Sequence, residues 1–298
     1  TWAVPELLPT GLAVLAGRPK LGKSWLALQI ALSVASGGRA LGYDVAQGRV
    51  LYLALEDPPR RLADRMQQQG WGRVDAQTTN NADFMGLGDF QDQIGDLLQG
   101  GSEILRNQIR AKGYRLVVID TLSRSIHGDQ NDVGEMTAHL TPLQETAHTC
   151  NCALLLIDHH KKRGVRDADV IDDVMGSTAK GAIADTIWGL YRKRGASSAK
   201  LAVTGRDIVA QTLELGFDGE LGCWQLEGVE GELKITGRRE ELLEIARDLG
   251  HAQVKDFVEA TGRNRSNVYR VLQDLVAAGE LFREKEGGHV FYMAKPPF

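Results

Sequence analysis

The sequence predicts an α/β fold: a mostly parallel sheet flanked by helices, followed by a small C-terminal helical module that ends in a hairpin. Three observations predict it. Over the first two thirds of the chain, short runs that are apolar throughout alternate with helical patterns, as expected where helices cover both faces of a sheet. Beyond the fifth such run the segments alternate apolar and polar residues between turn residues, the pattern of an antiparallel extension. From Arg238 onward the apolar spacing is helical three times in succession, and a Gly287-Gly288 turn then joins two strand-like segments.

Taken in order, 12–16 is the first buried strand and Lys23–Ser36 the helix after it, with Leu26, Ile30 and Val34 at helical spacing and Gly37-Gly38 closing it. Strands follow at 50–55, 116–119 and 153–157, with a helix at 133–149 between the last two. A fifth strand is expected at 187–191, and the extension at 200–204, 212–217 and 224–226. The character changes near 228–237, so the boundary is placed to give domains 1–232 and 233–298. In the second, helices at 238–249, 253–261 and 266–278 and strands at 280–285 and 289–293 make a winged helix-turn-helix.

Composition excludes several classes. A 43% hydrophobic fraction in 298 residues builds a real core and excludes wholesale disorder. Three cysteines cannot make a disulfide scaffold, and Cys150 and Cys152 lack the second pair of a zinc site, so a reducing, cytoplasmic compartment is expected. No apolar run reaches the roughly 18 residues that span a bilayer, so no membrane partner is expected. The chain starts at Thr1 with no signal-peptide character and no initiator Met, which suggests a piece of a longer protein. With 35 basic against 39 acidic residues, nucleic-acid contact has to be local.

Gly17-Arg18-Pro19-Lys20-Leu21-Gly22-Lys23-Ser24 fits G-x-x-x-x-G-K-[ST] and sits between a strand and a helix, where a phosphate loop must be. Backbone amides from Gly17 to Trp25 would wrap the phosphates, with the positive helix end adding to the field. Lys23 would neutralise the β- and γ-phosphates, and Ser24 would ligate Mg²⁺. Asp120, ending an apolar run, supplies the second metal contact. Because Asp120 is followed by Thr121 rather than Glu, the carboxylate that orients an attacking water is sought elsewhere. Glu56, ending the second strand, is the candidate, while its neighbour Asp57 is also readable as a helix cap.

These residues resemble the RecA-like ATPases, in particular the group containing the plasmid RepA-type hexameric replicative helicases. The resemblance covers residues 7–217. It rests on the loop at 16–24, Leu53-Ala54-Leu55-Glu56-Asp57, Val118-Ile119-Asp120-Thr121-Leu122-Ser123, Ile157-Asp158-His159-His160-Lys161-Lys162 and Gly176-Ser177-Thr178-Ala179-Lys180-Gly181. It implies a RecA-like sheet in which the fourth strand lies between the loop strand and the Asp120 strand. It implies ATP with Mg²⁺, Glu56 as catalytic carboxylate, and a γ-phosphate sensor at His159 or His160. It also implies an arginine finger at Arg206 acting on a neighbouring subunit, hence a hexameric homo-oligomeric ring. Relatives often carry Lys two residues earlier, where this chain has Thr204, and pairing with Asp207 is the plain alternative for Arg206.

The stretch 160–180 carries Lys161, Lys162, Arg163, Arg166 and Lys180 among Asp167, Asp169, Asp172 and Asp173, without periodicity, a loop profile whose plain alternative is a solvated surface loop without a ligand. In RecA-like rings the corresponding loop faces the channel and grips single-stranded DNA, and without an aromatic the grip is on backbone phosphates. A second, weaker loop follows Ser123, with His127, Asp129, Asn131 and Asp132. In the C-terminal module, Arg263, Arg265, Asn267 and Arg270 surround the start of the recognition helix and fit contact with duplex DNA. Together these lead to an ATP-hydrolysing ring motor on DNA, a helicase or translocase replicating a plasmid, phage or mobile element. The alternative is a regulatory or helicase-loader ATPase that binds DNA through its winged helix without unwinding. A small-molecule kinase would show a substrate-pocket signature, and none is evident.

Overall fold

The computed structural model describes residues 1–126, 132–159, 178–193, 195–262, 265–286 and 289–294, with the side chains at 178–179, 230–238, 266–267 and 270 outside the description. The chain divides into two compact units, Thr1–Gly228 and Val229–Phe298.

The first unit is built on a nine-stranded sheet. In chain order its strands are β1 (Gly11–Gly17), β2 (Arg49–Ala54), β3 (Ala82–Gly86), β4 (Tyr114–Asp120), β5 (Ala153–His159), β6 (Thr186–Arg192), β7 (Ser198–Gly205), β8 (Gln211–Asp218) and β9 (Cys223–Val229). They lie side by side as β9-β8-β7-β6-β1-β5-β4-β2-β3. From β3 to β6 every neighbouring pair is parallel, and β6-β7-β8 is antiparallel. The fourth of the strands foreseen from sequence, β5, thus lies between the loop strand β1 and the Asp120 strand β4. β1 is buried at every position and β5 at all but its last, because helices cover both sheet faces.

The helices are α1 (Lys23–Ser36), α2 (Pro59–Gln68), α3 (Ala76–Asn80), α4 (Leu87–Gln93), α5 (Ser102–Lys112), α6 (Leu122–Ser125), α7 (Val133–Thr149) and α8 (Thr178–Ile183). Leu105 and Ile109 of α5 and Met136, Leu140 and Leu143 of α7 pack with Leu12, Val14, Val117, Leu154 and Leu156 from the sheet. Burying such side chains contributes about 1.5–3 kcal/mol each, which holds the strand ends in register. The edge strand β3 and helices α3 to α5 were not foreseen. Only Met85 of β3 is buried, so the segment has no apolar run to announce it. No helix among the described residues is long and apolar enough to cross a membrane.

The second unit holds α9 (Glu230–Leu249), α10 (Val254–Thr261) and α11 (Arg265–Ala277), then β10 (Leu281–Glu286) paired antiparallel with β11 (His289–Ala294). Its own core joins Leu242, Ala246, Phe257, Leu272, Leu275 and Tyr292. The division falls four residues before the expected boundary, and α9 starts eight residues before the helix expected at 238. Of the stretch 228–237, where the sequence changes character, all but residues 228 and 229 lie in the helix.

Candidate functional site

The carboxyl ends of β1, β2, β4 and β5 meet at the loop from Gly17 to Ser24. Positive φ at Lys20 (64°) and Gly22 (99°) turns successive peptides, so that their amides line one concavity. α1 follows from an N-cap at Gly22 with no capping side chain among the described residues and no acid in its first turn. Its first amides are therefore left for an anionic ligand.

Gly22 is required on two counts. Its φ is one that L side chains rarely adopt, and an added Cβ would lie 2.9 Å from the Trp224 ring. Trp224 reaches across from β9 to donate its indole N–H to the Gly22 carbonyl at 3.1 Å. Gln29 of α1 bonds the Trp224 backbone twice, donating to its carbonyl and accepting from its amide, each at 2.8 Å. Gly22→Ala is accordingly expected to cost about 2 kcal/mol or more. Thermal denaturation and titration with a fluorescent nucleotide check this, and an unchanged melting temperature would contradict it.

Lys23 is buried, and its Nζ donates to the carbonyls of Gly17 (2.8 Å) and Arg18 (3.1 Å) and lies 3.3 Å from His159 Nδ1. Burial lowers its pKa to about 8, against the opposing charges of Asp120, Asp158 and Glu56. Those three carboxylates therefore all act on the loop lysine. Glu56 is exposed at the end of β2, and its amide donates to the Asp120 carbonyl at 3.2 Å, fixing the two strand ends together.

Asp120 is buried, and Tyr52 donates to its Oδ2 at 2.8 Å. Burial raises the Asp120 pKa; the Ser24 and Tyr52 hydroxyls oppose this, and the charges of Asp57 and Glu56 reinforce it. Its Oδ1 is buried without a hydrogen bond of good geometry among the described residues, the Ser24 hydroxyl acting on the carboxylate without closing one. A buried carboxylate oxygen left bare beside the Ser24 hydroxyl fits a divalent cation as the missing partner.

Of the two histidines that sequence left open, His159 is brought to Lys23; His160 lies outside the described residues, as do Lys161, Lys162, Arg163 and Arg263. Asp57 does not cap α2, whose N-cap is Pro58; it pairs with Arg61 at 3.3 Å and with Arg65. Trp25 sits half-buried under the Arg65 guanidinium, 5.2 Å from its ring, and Gln69 donates to its carbonyl at 2.9 Å. Lys180 needs correction. It is 6% exposed and ion-paired with buried Asp158, so its ammonium is not presented to a polyanion.

Arg206 pairs with Asp185 (3.7 Å) rather than Asp207 and donates to the Ala182 carbonyl at 2.7 Å. The Asp185 amide bonds Leu12 at 2.8 Å, near the start of β1. Gly17, at the far end of that strand, is five residues on, about 16 Å away. Arg206 thus sits at the opposite end of the sheet from its own chain's loop. In the second unit, Arg265 is exposed at the start of α11, and the side chains of Asn267 and Arg270 lie outside the description.

Sequence reasoning missed Tyr52, Asp158, Asp185 and Trp224. Each acts through a partner between 22 and 202 positions away, a relation that no local pattern encodes.

A parallel sheet with a phosphate loop after its central strand and a carboxylate on the strand two places over defines a RecA-like P-loop NTPase. Residues 1–165 match the AAA domain family; this is more than half of the chain, and the chain belongs to that family. Among solved structures it is similar to a DnaB-like replicative helicase described with its interactions with primase, at 17% identity and a TM-score of 0.57, covering 74% of this chain. The chain spans 57% of that helicase's length. It is also similar to the RadB recombinase, at 18% identity and a TM-score of 0.52, covering 74% of this chain and 91% of that one.

Proposed function

We propose that the protein hydrolyses ATP with Mg²⁺ as the motor of a homo-oligomeric ring on DNA, as a replicative helicase or translocase of a plasmid, phage or mobile element. The observation that carries the hydrolytic part is buried Lys23 on the loop carbonyls, within the field of Asp120, Asp158 and Glu56. The DNA-acting part draws on the fold shared with a replicative helicase and on the basic residues Lys161, Lys162, Arg163 and Arg166 that follow His159 in the sequence.

In this reading the amides of residues 17–25 hold the triphosphate, and Lys23 leaves the Gly17 and Arg18 carbonyls for its β- and γ-oxygens. Ser24 and Asp120 would hold Mg²⁺, which neutralises charge on the phosphates when bound. Glu56, exposed at the rim, orients the attacking water. His159, already 3.3 Å from Lys23, reports the γ-phosphate to the segment that begins at His160. Arg206, anchored at the other end of the sheet, serves a neighbour's loop, so turnover requires a ring. Lys161, Lys162 and Arg163 track the strand's phosphates. The three helices and hairpin of the second unit act as a winged helix, with Arg263, Arg265, Asn267 and Arg270 toward duplex DNA.

The test is Glu56→Gln assayed for ATP binding, ATP turnover and displacement of a labelled strand from a forked duplex. Turnover should fall about 10²–10⁴-fold with binding retained. Wild-type protein that binds DNA in a nucleotide-dependent way without displacing the strand would replace the helicase by the loader. Glu56→Gln with normal turnover would remove Glu56 from the catalytic role.

A further inference from the structure

We propose that Tyr52 is a positioning residue for the divalent cation: it occupies Asp120 Oδ2, so that Oδ1 alone is turned to the cation held with Ser24. The inference rests on the reading of Ser24 and Asp120 as the cation's ligands and deepens it.

Tyr52 lies in the interior of β2, buried, one strand over from Asp120. Its hydroxyl donates to Asp120 Oδ2 at 2.8 Å and lies 3.5 Å from the Ser24 carbonyl, and so stands between the two residues that meet the cation. The ring cannot swing away. Phe84 of β3 packs against it at 5.9 Å, and Trp71 backs Phe84 edge-on at 5.1 Å.

The terminal torsion of an aspartate is broad, so an unrestrained carboxylate samples many orientations about its last bond. A single donor from a fixed ring removes that freedom and distinguishes the two oxygens. A tyrosine–aspartate pair serving packing alone gives no reason for the second oxygen to stay buried and bare, a condition that costs about 1–3 kcal/mol. Here Oδ1 is in that condition among the described residues. Outer partners that orient a metal ligand typically govern metal affinity by about 10–100-fold.

Tyr52→Phe keeps the ring and its contacts and deletes only the hydroxyl. Binding of Mn²⁺ in the presence of ADP, read by electron paramagnetic resonance, should weaken about tenfold or more. ADP binding in excess EDTA should stay within about twofold of wild type, since the loop amides and Lys23 are untouched. Asp120→Asn is run beside it. If Asp120→Asn weakens Mn²⁺ binding and Tyr52→Phe does not, the role of Tyr52 is overturned while the cation site stands. If neither weakens it, the cation reading itself falls. Loss of ADP binding in EDTA by Tyr52→Phe would place the tyrosine's role in the loop's fold and also overturn the proposal.

Discussion

Replacing Lys23 with methionine is expected to cut nucleotide turnover by about 10²–10³-fold or more, and to erase a proton-uptake signal that the wild-type protein gives on binding nucleotide. The second effect follows from where the ammonium sits. Burial among loop carbonyls lowers its pKa to about 8 from 10.5, so above pH 8 part of the population is neutral. A bound polyphosphate favours the charged form, so binding draws a proton from solvent. Calorimetric titration with ADP at about pH 8.5, in buffers of different ionisation enthalpy, should report uptake of up to about three quarters of a proton that nearly vanishes at neutral pH and is absent in Lys23→Met. The same shift has a stability consequence of definite sign. Between pH 8 and 10.5 the unfolded chain binds a proton that the folded chain does not, so this lysine's contribution to stability rises with pH through that window and is lost as pH falls through 8. Equal proton uptake in Lys23→Met and wild type would remove the ammonium from the phosphate site.

The second large effect belongs to Lys180. Its ion pair with Asp158 is buried on both sides, each side chain 8% exposed. Lys180→Met strands an uncompensated carboxylate, which costs about 3–5 kcal/mol. The melting temperature should fall by about 10 °C, followed by circular dichroism. Asp158→Leu combined with Lys180→Met should recover most of the loss, because replacing a buried pair by apolar groups is close to neutral. A neutral Lys180→Met would mean that the pair does not hold the fold. The two residues flank, in sequence, the segment that the sequence assigns to DNA, and their contact joins positions 158 and 180. Lys180 thus serves as the anchor of that segment rather than as one of its DNA contacts.

Most of the sheet was legible because burial on two faces demands continuous apolar runs. Residues 12–16, 116–119 and 153–157 fall inside observed strands for that reason, and Lys23–Ser36 and Val133–Thr149 appear as expected. The phosphate loop was legible because its chemistry is local: amides, a lysine and a hydroxyl within eight residues. The edge strand β3 was not, since an edge buries little and needs no run. The plain role of Arg206 was misread as a pairing with the next residue, when β1 and β6 bring Asp185 to it. Lys180 looked like one more cation in a stretch of mixed charge, and only the tertiary position of Asp158 removes it from the surface. Local chemistry was visible; what orients that chemistry was not.

The indole of Trp224 holds the carbonyl of Gly22 from 202 positions away, from a strand at one margin of the sheet. Any shortened version of this chain that ends after the ordered strands near Asp218 would keep every residue of the fingerprint and still lose the brace that shapes it. The smallest working fragment is therefore set by that tryptophan and its glutamine partner Gln29, and runs to at least Gly228 although the recognisable motifs end far earlier.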